Sequence, residues 1–162
     1  MKKKADEYLY NEAIKYLGKY PATKKKITEH LKKKIRNKKI YQMTIFPDDI
    51  DKDELVNNII IKLDKFKIIN EALYLESMFN YYTRSLFSIR KIKNKLYQKG
   101  FDKNDIDEHI SIQLQKNPKL EIEILKEYFS KKNIEHLGSD ELKKKLFQMS
   151  FSEDAIYNLI KE

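Results

Sequence analysis

Three short stretches of this chain begin in the same way. "DKDEL" at Asp51 to Leu55, "DKNDI" at Asp102 to Ile106 and "SEDAI" at Ser152 to Ile156 each place a capping residue four positions before an aliphatic one. A second aliphatic residue follows four positions later, at Ile59, Ile110 and Ile160. The oxygen of Asp51, Asp102 or Ser152 can accept from the unpaired amides of a first helical turn, and the acidic residues behind it suit the positive end of the helix. Any one copy is ordinary capping. Three copies at a period of about fifty residues predict three tandem units, each too small to bury a core alone and therefore stacked on its neighbours.

The second unit is the clearest, and its periodicity predicts helices at Asn70 to Leu86, Ser88 to Lys99 and Lys103 to Gln115. Ala72, Leu75, Met78, Phe79, Tyr82 and Leu86 recur at the steps of one buried face. Ile89, Ile92 and Leu96 do the same in the next helix, and Gly100 follows Lys99 as a helix-ending residue that can adopt a positive φ. A shift of fifty residues, without a gap, superposes Phe79 on Phe129, Ile92 on Leu142, Leu96 on Leu146, Phe101 on Phe151 and Ile106 on Ile156. Towards the N-terminus the first two helices need a shift of sixty-five and the third only fifty-one, matching Ile92 to Ile27 and Leu96 to Leu31. The three units are thus residues 1–68, 69–117 and 118–162, with an insertion in the first around 37–49. Part of that insertion is expected to prolong the second helix, and Pro47, Asp48 and Asp49 to restart the chain. Tyr41, Ile45 and Phe46 are expected to pack back on the core rather than face a partner. The fold class is all-α: a tandem stack of helix-turn-helix-like three-helix units forming an elongated, curved solenoid of right-handed type.

Only three glycines and three prolines occur in 162 residues, which argues against an all-β chain rich in tight turns. No cysteine is present, so disulfides and thiol catalysis are excluded, in keeping with a cytoplasmic location. The N-terminal lysines precede Asp6 and Glu7 instead of an apolar run, so no secretory signal or membrane span is expected. "KDEL" at Lys52 to Leu55 is internal and therefore not a retention signal.

The formal charge of +9 is unevenly spread, at +8, +2 and −1 over the three units. A polyanionic partner would meet the N-terminal end first. In the first unit's second helix Ile27, Leu31 and Ile35 take the core side, which leaves Lys25, Lys26, Lys32, Lys33 and Arg36 pointing away. Arg90 and Lys93 lie opposite Ile92 in the same manner, with Arg84 nearby. Only three of the 34 basic residues are arginines, and all three fall in these two units, where a planar guanidinium suits phosphate or carboxylate. The candidate contact residues are Lys25, Lys32, Arg36, Arg84, Arg90 and Lys93. His30, His109 and His136 lack metal-site spacing, Gly18, Gly100 and Gly138 form no phosphate loop, and the acidic residues are taken up by capping. The expectation is a protein that is not an enzyme and has no cofactor.

"YYTRSLFSIRKIKNKLYQKGFDKNDIDEHI" resembles the central repeat of the RecX family, regulators of the RecA recombinase. "NEAIKYLGKYPATKKKITEHLKKK" is similar to that family's opening segment, and the third unit to its last repeat. Two positions depart from the pattern: Asn70 and Glu71 replace an acidic pair, and the residues around Ala22 and Thr23 replace a serine before the second helix. The resemblance implies a monomer that lies in the groove of the RecA filament on single-stranded DNA and limits its recombinase and ATPase activity, with no cofactor of its own. Two other classes fit the charge, a helical protein binding nucleic acid directly and an adaptor on ribosomes or membranes. The acidic first turns at Asp51, Asp102 and Glu153 would repel phosphate from the third helices and disfavour base reading there.

Overall fold

The computed structural model describes residues 2–37, 45–46 and 49–161. Every regular element among them is a helix, so the all-α expectation holds. The chain forms two compact units, Met1–Tyr74 and Leu75–Glu162, the second of which holds nearly all of the sequence's second and third repeats.

The first unit contains α1 (Lys2–Leu17), α2 (Lys24–Arg36) and α3 (Lys52–Lys65). Their stripes meet in one core: Ala5, Leu9 and Ala13 from α1, Ile27, Leu31 and Ile35 from α2, and Leu55, Ile59 and Leu63 from α3. Phe46 of the insertion is wholly buried in it, edge-on to Tyr8 at 5.8 Å between ring centroids, and Ile45 packs alongside. Burial of a phenylalanine stabilises by roughly 1.5–3 kcal/mol, which gives the insertion its anchor. Tyr41, Pro47 and Asp48 lie outside the described residues. The insertion does not prolong α2 as expected. That helix stops at Arg36, where the Asn37 amide donates to the Lys33 carbonyl at 2.9 Å.

The helix α4 (Glu71–Arg84) starts in the first unit and continues into the second, followed by α5 (Ile89–Gln98) and α6 (Lys103–Lys116). After them come α7 (Leu120–Lys131), α8 (Ser139–Gln148) and α9 (Glu153–Lys161). The bounds predicted for the three helices α4, α5 and α6 agree to within two residues. Leu75, Phe79, Tyr82 and Leu86 are buried as expected, whereas Met78 is only partly buried and Ala72 is exposed. Ala72 sits in the turn of α4 that belongs to the first unit, and there Ile69 enters the core instead.

The fifty-residue period is written into the backbone as well as the side chains. After α5, Gly100 adopts φ 95° and its amide donates to the Tyr97 carbonyl at 2.9 Å, while the Phe101 amide donates to the Leu96 carbonyl at 3.4 Å. Fifty residues later Ser150 adopts φ 65° and the bonds recur, to Phe147 at 2.9 Å and from Phe151 to Leu146 at 3.3 Å. Phe101 and Phe151 are both buried. This hydrogen-bonded ending turns the chain sharply and drives the following phenylalanine inward.

All three predicted caps form: Asp51 accepts from the Asp53 and Glu54 amides, Asp102 from those of Asn104 and Asp105, and Ser152 from that of Ala155. The two departures from the family pattern keep their caps too. Thr23, fully buried, accepts from the Lys26 amide at 3.3 Å, and Asn70 accepts from the Leu73 amide at 3.1 Å.

Candidate functional site

The basic faces follow from how the second helix of each repeat is seated. With Ile27, Leu31 and Ile35 inward, Lys25, Lys32 and Arg36 stand exposed on α2. Lys32 and Arg36 meet Lys52 across a groove of about 470 Å³ between the C-terminal half of α2 and the start of α3. Asp51 and Asp53 line the same groove, and Lys32 Nζ pairs with Asp53 Oδ1 at 2.8 Å. The groove therefore carries three cations against two carboxylates, a net excess of one positive charge.

On α5, with Ile92 and Leu96 inward, Arg90 is exposed and Lys93 half-buried. Both line a cleft of about 610 Å³ reaching Phe147, Ser152 and Glu153. Lys93 pairs with Asp107, and Glu121 and Glu153 add two more carboxylates. Arg84 is exposed at the last turn of α4. Of the six predicted contact residues, Lys32 and Arg36 share one groove and Arg90 and Lys93 share another, while Lys25 and Arg84 are not among the lining residues of either.

Sequence reasoning missed three contributors. Lys52 was hidden in a first turn read only as capping, and Asp107 lies one turn beyond the cap that drew attention. Glu121 was the least visible. Its Oε1 accepts from the Ile89 amide at 3.3 Å and its Oε2 from the Ser152 hydroxyl at 2.6 Å, so one carboxylate joins the starts of α5 and α9. Glu71, fifty residues earlier, likewise accepts from the Lys24 amide at 2.5 Å at the start of α2. In both places a carboxylate at the start of one repeat's first helix closes the second helix of the repeat before it.

Two of the three histidines have packing roles. His30 stacks on Tyr16 at 4.2 Å between ring centroids, and His109 meets Phe79 edge-on at 5.0 Å. Burial lowers the pKa of each below the ordinary 6.5. Among the described residues no cluster of three or more histidines or carboxylates could hold a metal ion. No helix among them is long and apolar enough to cross a membrane.

No family model matches the sequence, and no curated protein matches it. Solved structures do. The crystal structure of RecX from Lactobacillus salivarius superposes with a TM-score of 0.72 at 23% identity, over 97% of this chain and 95% of that one. The chain has the RecX fold. A crystal structure of regulatory protein RecX gives a TM-score of 0.69 at 22% identity, covering 97% of this chain and 73% of that one. At these identities the likeness is one of fold, and it spans nearly the whole chain.

Proposed function

We propose that the protein regulates the RecA recombinase by binding its filament on single-stranded DNA and mostly inhibiting strand exchange and ATP turnover. The observation that carries this reading is the match of the RecX fold over 97% of the chain. The exposed Arg36, Arg84 and Arg90 support it, since a filament on nucleic acid presents phosphate and carboxylate to which guanidinium binds well. The carboxylates among the cations fit a mixed protein and nucleic-acid surface better than bare DNA, because Asp53, Asp107 and Glu153 would repel a continuous phosphate backbone. In this reading the protein acts as a monomer in the cytoplasm, uses no cofactor and performs no chemistry. Any ATP in the complex belongs to RecA.

The test is a titration of the protein into RecA turning over ATP on single-stranded DNA. Substoichiometric protein is expected to slow turnover and promote filament disassembly, with no ATPase activity of its own. Unchanged turnover at saturating protein would overturn the reading.

A further inference from the structure

The groove between the second and third helices recurs in the three repeats, but its chemistry changes. In the first it is crossed by the Lys32–Asp53 ion pair, and in the second by the Lys93–Asp107 pair. Applying the repeat shifts, the counterpart of Lys32 in the third repeat is Phe147, and the counterpart of Asp107 is Tyr157. Each pair has thus lost one charged member to an aromatic ring. The two rings line a groove of about 360 Å³ between α8 and α9, floored by Ile156 and flanked by Lys143, Glu153 and Asp154. Phe147 is 55% exposed and Tyr157 63% exposed, although Ile156 beneath them is 4% exposed.

We propose that this third groove is a docking slot for a segment of the partner protein bearing a bulky apolar side chain beside a lysine or arginine. Two large rings held open over a buried aliphatic floor are the kind of anchor on which protein interfaces concentrate their affinity. Charge decides the class of occupant. Among the residues lining the groove Glu153 and Asp154 outnumber Lys143, no lysine at the counterpart of Lys32 neutralises Asp154, and Lys161 is held over the Tyr157 ring at 5.4 Å from its centroid. Those two carboxylates sit where a phosphate would have to approach, so nucleic acid is disfavoured and a basic residue next to the apolar anchor is favoured. The inference rests on the RecA reading: the arginine-bearing repeats engage the charged filament, and the third repeat grips protein.

The test uses the full chain in three forms: wild type, the Tyr157→Ser variant and the Asp154→Asn variant, whose changed residues line this groove and not the cleft of Arg90 and Lys93. Binding is measured to RecA filaments assembled on single-stranded DNA and to naked single-stranded DNA, with thermal melts to confirm folding. The serine variant is expected to bind filaments at least about tenfold more weakly than wild type and naked DNA equally well. The amide variant is expected to lose about threefold on filaments and to bind naked DNA no more weakly. Wild type that binds filaments while the serine variant binds within about twofold of it would overturn the slot alone. Failure of wild type to bind filaments would overturn the RecA reading and the slot with it. Equal loss on naked DNA would assign the groove to nucleic acid. Self-association of wild type that the serine variant abolishes would assign it to a second copy, and either of these last results overturns the proposal.

Discussion

Ser88 accepts from the Lys91 amide at 3.2 Å, donates to the Met149 carbonyl at 3.0 Å, and is almost fully buried. It caps α5 and at the same time ties the start of that helix to the end of α8. Ser88→Ala removes both bonds in a dry place, so a loss of about 1–3 kcal/mol is expected in urea denaturation. Ser152→Ala removes a solvent-exposed cap and should cost less, about 1 kcal/mol or under. Equal losses would contradict the role given to burial. His30 offers a test of a different kind. Burial first, and then the Lys34 charge, hold its pKa below 6.5, so the unfolded chain gains a proton before the folded one does. His30 therefore contributes stability that is fully present above the unfolded value of 6.5 and is lost as pH falls from there through the lower folded value, and His30→Gln should flatten that acid-side slope. An unchanged slope between pH 7 and pH 5 would show that the ring takes up its proton over the same pH range in the folded and the unfolded chain. Caps such as Asp51 and Asp102 were legible in the sequence because side chain and amide lie within three residues of each other. Glu71 and Glu121 were not, because a carboxylate in a first turn looks the same whether it serves its own helix or a neighbour.

Helix bounds in the second repeat were legible for a related reason: stripes, caps and endings there are local, whereas α7 and α8 start without a side-chain cap. The insertion was legible only in part. Phe46 and Ile45 could be assigned to the core by their apolar load, but where α2 stops depends on the backbone at Asn37, which periodicity does not report. The endings of α5 and α8 give the element-scale prediction. Both need a residue at positive φ, met by Gly100 at 95° and by Ser150 at 65°. A serine in the left-handed region is strained where a glycine is not, so Ser150→Gly should stabilise by about 0.5–1 kcal/mol, and Gly100→Ala should destabilise by about 1 kcal/mol or more. The two shifts are read from denaturation midpoints. A destabilising Ser150→Gly would mean that the equivalence of the two endings does not extend to their energetics.

For the whole molecule, the +9 charge is concentrated in the first repeat, where a filament carrying nucleic acid would be drawn. The sequence showed which residues stand outside the core, and Lys25, Lys32, Arg36, Arg84 and Arg90 are all exposed. It did not show that Asp53 pairs with Lys32 or Asp107 with Lys93, because those partners come from another helix. Reversing the five exposed residues to glutamate should leave the helical circular dichroism intact, since exposed changes usually shift stability by about 0.5 kcal/mol or less each and an exposed ion pair adds about 1 kcal/mol at most. Filament binding should fall steeply, whereas reversal of Lys143, Lys144 and Lys145 should matter less. Equal damage from both sets would remove the case for a polarised basic surface. The most direct measurement is the affinity of the wild-type protein for RecA-coated and for naked single-stranded DNA, taken side by side at one salt concentration. Binding that is much tighter to the coated strand, and that weakens as salt is added, is the predicted result. Equal or tighter binding to the naked strand would contradict it and identify the protein as a direct nucleic-acid binder.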